Sequence, residues 1–286
     1  MNWYITSILS LVLFSLQYFF YKVATEKRAN LHLVTFSMMT TIAIAGSSLY
    51  LLEGEPINGW KMLLFFGFIA GTSFVGATLS RLKSLEHMPS SVAFLIFDFK
   101  VVVIALISIF LFKDLTTPLQ TIGIFLALVA GGIVIQKQKG ENEEHPNFHW
   151  GIIYALGVVF TLSLNAIVIK QAIIENYQAF AFIMVAGFFD SILSFLLYRF
   201  NKTYHMPVEI KNYSIKMGIL VGIINFSAFY FEFISLQTGS LAVVTAIISF
   251  STFGAIILST IFFKEKIGFK RGLGLAIGLF SLFLLR

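Results

Sequence analysis

Residues 84–123 read SLEHMPSSVAFLIFDFKVVVIALISIFLFKDLTTPLQTIG, and residues 235–274 read SLQTGSLAVVTAIISFSTFGAIILSTIFFKEKIGFKRGLG. A shift of 151 positions lays one on the other without a gap. Ser84-Leu85 falls on Ser235-Leu236, Phe99 on Phe250, Ser108 on Ser259, Phe112-Lys113-Asp114 on Phe263-Lys264-Glu265, and Gly123 on Gly274. The same shift carries Gly67 onto Gly218 and Gly71 onto Gly222. A shift of 148 carries Ser15-Leu16-Gln17 and Lys22 onto Ser163-Leu164-Asn165 and Lys170. Leucines coincide by chance in an apolar chain; a lysine–acid pair and three glycines in register do not. The chain is two copies of one unit.

The setting of the copies follows from composition. Of 286 residues, 58% are apolar and 12% charged, against roughly 45–50% and ~25% in soluble domains. One water-soluble globule has no interior large enough for that excess, which excludes an ordinary cytosolic enzyme. Apolar stretches of about 20 residues, the length that crosses ~30 Å of hydrocarbon, lie near 3–23, 31–52, 61–82, 90–112, 118–136, 149–170, 178–199, 214–236, 240–263 and 269–285. Period-2 alternation is missing, which argues against a membrane β-barrel. The first stretch has no basic n-region or small-residue cleavage pattern and reads as a retained helix. The polar segment 137–148 divides the chain into a five-helix repeat over 1–136 and a second over 149–286.

An odd number of spans per copy inserts the second copy upside down. The expected fold is therefore an all-α integral membrane protein, with ten transmembrane helices as two inverted five-helix repeats. Inverted repeats are a secondary-transporter architecture, with substrate held near the midplane between the halves. Gly67-xxx-Gly71 and Gly218-xxx-Gly222, like Gly123-xxx-Ala127 and Gly274-xxx-Gly278, read as packing faces where another helix comes close.

The two copies of Ser-Leu, a loop, a long apolar helix ending in Phe-Lys-acid and a glycine-bearing last helix resemble the drug/metabolite transporter superfamily, in particular its ten-helix EamA-like members. The resemblance covers both halves. It implies a carrier working by alternating access, often exporting amino acids, other small metabolites or drugs. Relatives often carry a proline midway along the fourth and ninth helices; here those places hold Val101 and Thr252. The asparagine-lysine signature of nucleotide-sugar carriers is not evident.

Loop charges argue orientation. The loops after odd-numbered spans hold 15 of the basic residues, and the opposite side, with Lys61, Lys113, Lys170 and Arg286, holds 4. By the positive-inside rule both termini lie outside the cytoplasm, whereas the family resemblance implies cytoplasmic termini. Trp3, Trp60 and Trp150 stand at the starts of spans as interfacial anchors.

Charges inside spans cost about 2.5–3.5 kcal/mol each on insertion scales, so they face cavities or one another. Asp98 and Lys100 lie mid-span in the fourth helix, roughly 200° apart in projection, so at least one meets a partner on another helix. Asp190 is mid-span in the seventh helix, and Glu232 lies toward the end of the eighth, at the repeat position of Arg81. In the functional reading Lys100, Asp98, Asp190 and Glu232 line the central cavity, Lys100 binding an anion and an acid binding an ammonium or a coupling proton. In the structural reading they are ion pairs between helices, with Arg81 and Lys83 reaching for the interface. Gln17 and Asn165 are matched amides that contact substrate or bond between helices. Ser249 and Ser251 replace Asp98 and Lys100 in the second copy, which makes any cavity electrically asymmetric. Tyr18, Tyr230 and the phenylalanines are candidates for an aromatic box around a quaternary amine.

Other chemistries lack their residues. There is no cysteine, the five histidines show no metal-ligand spacing, and no nucleotide loop or serine-hydrolase elbow occurs. No cofactor is expected. An intramembrane protease using Asp98 and Asp190 would lack its motif glycines. The expected function is secondary transport of a small polar or amphiphilic metabolite, with proton-coupled export in view. The alternative is a membrane-embedded enzyme, receptor or scaffold. Expected partners are a small-molecule substrate, the lipid bilayer of a prokaryotic plasma membrane and a coupling proton, in a monomer or homodimer. Twenty basic residues spread along a greasy chain form no nucleic-acid surface.

Overall fold

The computed structural model describes residues 2–53, 56–57, 59–88, 90–114, 116–134, 148–200, 207–263 and 269–286. These form eleven helices: α1 (Trp3–Glu26), α2 (Leu31–Glu53), α3 (Trp60–His87), α4 (Ser90–Phe110), α5 (Pro118–Val134), α6 (Phe148–Ile174), α7 (Ala179–Phe200), α8 (Val208–Thr238), α9 (Leu241–Ser249), α10 (Ser251–Phe263) and α11 (Phe269–Leu284). The divider at 137–148 (described only at Phe148), the charged loop residues Lys202, Lys264 and Lys266, and Glu265 lie outside the described residues. The same holds for the side chains of Lys270 and Arg271.

Local chemistry sets several helix starts. Asn30 Oδ1 accepts the Leu33 N–H at 2.9 Å and opens α2. Thr117 and Gln120 form a reciprocal capping box, Thr117 Oγ1 accepting from Gln120 N and Gln120 Oε1 accepting from Thr117 N. Pro118 then occupies the first helical position, where its missing N–H costs nothing. Within the spans, hydroxyls such as those of Thr35, Thr78 and Thr161 donate to the carbonyl four residues back, which hides a polar group without a tertiary partner.

Among the described residues, seven segments are long and apolar enough to cross a membrane, and α5 and α11 carry shorter apolar stretches. Large side chains such as Phe65, Phe160, Phe188 and Phe200 are exposed on the outside, as lipid contact requires. The molecule is a multi-pass membrane protein.

The packing is symmetric under exchange of the halves. α1 lies on α8 and α6 on α3; α2 lies on α8 and α7 on α3; α1 meets α9 and α10, and α6 meets α4. The pairs α2–α7, α4–α9 and α5–α11 map onto themselves. Close approaches keep the 151-residue register. A side chain at Gly67 would strike Val185, and one at Gly218 would strike the backbone of Val34. Gly71 abuts Phe189, and Gly222 abuts Met38. These glycines are packing faces.

Directions follow from the same contacts. Along α2 and α7, Thr40 meets Ser191 while Gly46 meets Met184, so the two run antiparallel. α3 runs parallel to α7 and antiparallel to α6, where Ala70 meets Asn165 and Ser80 meets Gly157. α8 runs parallel to α2, with Gly218 at Val34 and Gly222 at Met38. Helices two and three of each copy thus point opposite ways. The repeats are inverted.

The sequence predicts one span over 240–263, but the structure divides it. The helical ladder tightens at Phe250, whose N–H reaches Ile247 O at 3.2 Å, and α10 starts at Ser251. Residues 241–248 are buried without exception. Lys170, read from sequence as a loop charge, lies inside α6, because that helix runs on to Ile174.

Candidate functional site

Four charged side chains and a tyrosine gather where α1, α3, α4 and α8 approach. Arg81 of α3 points between α1 and α4, its guanidinium carbon 5.4 Å from the Tyr18 ring and 5.8 Å from that of Phe97. The Tyr18 hydroxyl lies within hydrogen-bond reach of Arg81 and within electrostatic reach of Lys100 and Asp98. Lys100 and Arg81 are both within electrostatic reach of Asp98, and Lys100 is within reach of Glu232 across on α8. Two cations and two anions therefore share one partly buried region, drawn from both halves. Arg81 Nε is fully buried without a hydrogen-bond partner, a donor held ready in an environment where an unmade bond costs about 1–3 kcal/mol.

Asp98 and Lys100 part company as the helical geometry demands. Asp98 turns toward Gly131 of α5 and lines a small cavity with Ser249, Phe250 and Phe253. Its repeat mate Ser249 thus sits beside it at the α9–α10 break. The cavity is about 10 Å³, room for roughly one water. Ser251, two residues on from Ser249, is buried.

The other candidates lie elsewhere. Gln17 Oε1 accepts from Asn225 Nδ2 at 2.8 Å between α1 and α8. Asn165 Nδ2 donates to Ala70 O at 2.9 Å between α6 and α3. These are repeat-equivalent seams, so the matched amides join the halves in this conformation. Tyr230 stacks on Phe180 of α7 at 4.9 Å. Asp190 is 6% exposed and lies where α7 crosses Gly71 of α3, with its Oδ1 unpartnered. Lys83 is exposed above the Tyr154 ring. Among the described residues no three metal-ligating side chains cluster.

A second polar group closes one end of the bundle, and its roles are not visible in the repeat alone. Asp114 Oδ2 accepts from Ser108 Oγ at 2.8 Å and from the Leu241 N–H at 2.8 Å, capping α9 from the loop after α4. Ser108 Oγ also accepts from Ala242 N. Lys170 of α6 stands 3.9 Å from Asp114 Oδ1 and donates to the carbonyls of Leu236 and Gly239 at the end of α8. The signal is in the register: Lys22/Lys170, Ser108/Ser259 and Asp114/Glu265 are all repeat pairs, so each copy supplies the same three groups.

Two inverted helical repeats in a multi-pass membrane chain are an architecture of membrane transporters. The sequence profile of the EamA-like transporter family matches residues 1–135 and 149–286. The chain belongs to the EamA-like transporter family, within the drug/metabolite transporter superfamily. A solved crystal structure, described only as that of a protein, superposes with a TM-score of 0.79 over 98% of this chain and 97% of its own, at 15% identity. That likeness carries the fold alone. No curated protein matches the sequence.

Proposed function

We propose that this chain is a secondary transporter of the plasma membrane, moving a small polar or amphiphilic metabolite by alternating access across ten spans, with α9 and α10 together forming the ninth. The observation that carries the reading is the Arg81–Asp98–Lys100–Glu232 group. Opposite charges from the two halves meet in the interior, and Arg81 and Glu232 occupy equivalent places in the inverted repeats. A dipolar or charged solute finds complementary groups there, and rocking one half against the other changes which face reaches them. The small cavity that Asp98 and Ser249 share lies at the α9–α10 break, which we take as the flexing point. A coupling proton completes the cycle, and no enzymatic step enters it.

Counterflow in proteoliposomes tests the reading. Amino acids, polyamines, quaternary amines, phosphorylated sugars and cationic drugs are first screened by thermal stabilisation of the purified protein. The best hit is then expected to exchange saturably, with exchange lost in Lys100→Ala and Asp98→Asn. Unsaturable flux, or exchange that both variants leave intact, overturns it.

A further inference from the structure

Asp190 is a buried acid that the charged seam does not absorb. Its carboxyl is 6% exposed, and Oδ1 has no hydrogen-bond partner. A carboxylate so placed is costly within a membrane unless it is paired or neutralised. Its repeat mate is Met39, fully buried, so the second copy has an acid where the first has a thioether.

A crevice opens one helical turn from that acid. α3 and α7 run side by side, Gly71 level with Asp190 and Val75 one turn further on. Ser194 lies one turn beyond Asp190 on the same face of α7, about 6 Å along the axis. At that level a crevice opens between α2, α3 and α7, with His32, Thr35, Thr78 and Ser194 as its polar lining. At about 10 Å³ it has room for roughly one water. His32 is the second residue of α2 and Leu197, also on the wall, is near the end of α7, so the crevice leads to the membrane face where α2 begins. The hydroxyls of Thr35, Thr78 and Ser194 donate to carbonyls of their own helices, Leu31, Phe74 and Ser191. Their oxygens remain as acceptors toward water in the crevice.

We propose that Asp190 is the proton-binding site of this carrier, reached from the face where α2 begins through the crevice lined by His32, Thr35, Thr78 and Ser194. This rests on the transport reading for its purpose but not for its test. One proton adds to a carboxylate oxygen and leaves by the same route, with no redox change. Among the described residues the titratable groups on the elements packed against it are few. α2 brings His32; α3 brings Arg81, turned to Tyr18 and Phe97; α8 brings Tyr230, stacked on Phe180; α7 itself brings Tyr198 and Arg199 toward the same face. Asp190 is thus a separate site from the Asp98 group.

Infrared difference spectra of the full chain in liposomes, taken between alkaline and acid medium, read the site directly. A protonated-carboxyl band is expected that grows on acidification, persists in Asp98→Asn and is lost in Asp190→Asn. Ser194→Val, which fills the crevice, is expected to slow the deuterium shift of that band. A band unaffected by pH, or a wild-type spectrum from Asp190→Asn, overturns the proposal. Should Asp190→Asn fail to fold, Asp190→Glu serves: the band must move, and an unmoved band overturns the site. The readout needs neither substrate nor flux, so failed counterflow sinks the carrier reading alone.

Discussion

Thr40 and Ser191 share a hydrogen bond of 2.9 Å between their hydroxyls, and they stand 151 positions apart, the spacing of the repeat. They are the same residue position of the two copies meeting itself across the axis that relates them. Thr40 Oγ1 donates to Phe36 O, so Ser191 is the donor between helices. Removing the hydroxyl as Thr40→Val or Ser191→Ala is expected to cost about 0.6 kcal/mol, with ~1.7 as the upper range for such bonds in membranes. The double variant should cost little more than either single one. Additive losses in a denaturant titration of the reconstituted protein would show that the two hydroxyls are not partners.

The glycine seams should respond in matched pairs. Gly67→Ala drives a methyl into Val185, and Gly218→Ala drives one into Ser37 and the Val34 carbonyl. Each is expected to destabilise by about 1–3 kcal/mol through overpacking. At Gly272 of α11 a methyl group would meet nothing within 4 Å, so Gly272→Ala should gain about 0.4–1 kcal/mol instead. Equal effects at Gly67 and Gly272 in thermal unfolding would contradict the seam.

The repeat is legible because its register is written in rare residues, glycines and a lysine–acid pair, that packing keeps distinct. Helix directions follow from the odd span count. Helical geometry also sets Asp98 and Lys100 on different faces. Their partners are not legible: Gly131, Glu232 and Arg81 come from α5, α8 and α3, and one sequence does not say which faces turn inward. Sequence alone groups Asp190 with Lys100 in one cavity, and only the packing on Gly71 shows its separate setting. The break at Phe250 leaves no local mark, since neither proline nor glycine stands at 249–251. Its neighbourhood is tertiary: α1 comes so near that Ser15 touches the space over Gly254.

Arg81 binds two rings at once, so its shape matters as well as its charge. Arg81→Lys keeps the cation but loses the flat guanidinium that stacks on Tyr18 and Phe97. Stacking of a desolvated cation is worth up to about 2 kcal/mol, and a loss of that order is expected in unfolding measurements. Tyr18→Leu should remove part of the same energy, leaving Arg81→Lys less damaging in its background. An undiminished effect there would mean that Arg81 is held by its charge alone.

The Asp114–Lys170 contact joins three helices of the second copy to the end of α4, and its energy divides between a cap and a charge pair. Asp114→Asn retains an oxygen for the Leu241 N–H and the Ser108 hydroxyl but abandons Lys170. Asp114→Ala abandons both, adding about 1 kcal/mol for the lost cap. With side chains 12% and 17% exposed and 3.9 Å between the charges, the pair falls below the 3–5 kcal/mol that breaking a fully buried one costs. Lys170→Met strands the Asp114 charge but also frees the carbonyls of Leu236 and Gly239, so it should be the more damaging single change. A double-mutant cycle of Asp114→Asn with Lys170→Met isolates the charge term, expected at about 0.5–3 kcal/mol for residues in contact. A coupling of zero would leave Asp114 as a cap for α9 and Lys170 as a clasp on the end of α8, with no ion pair between them.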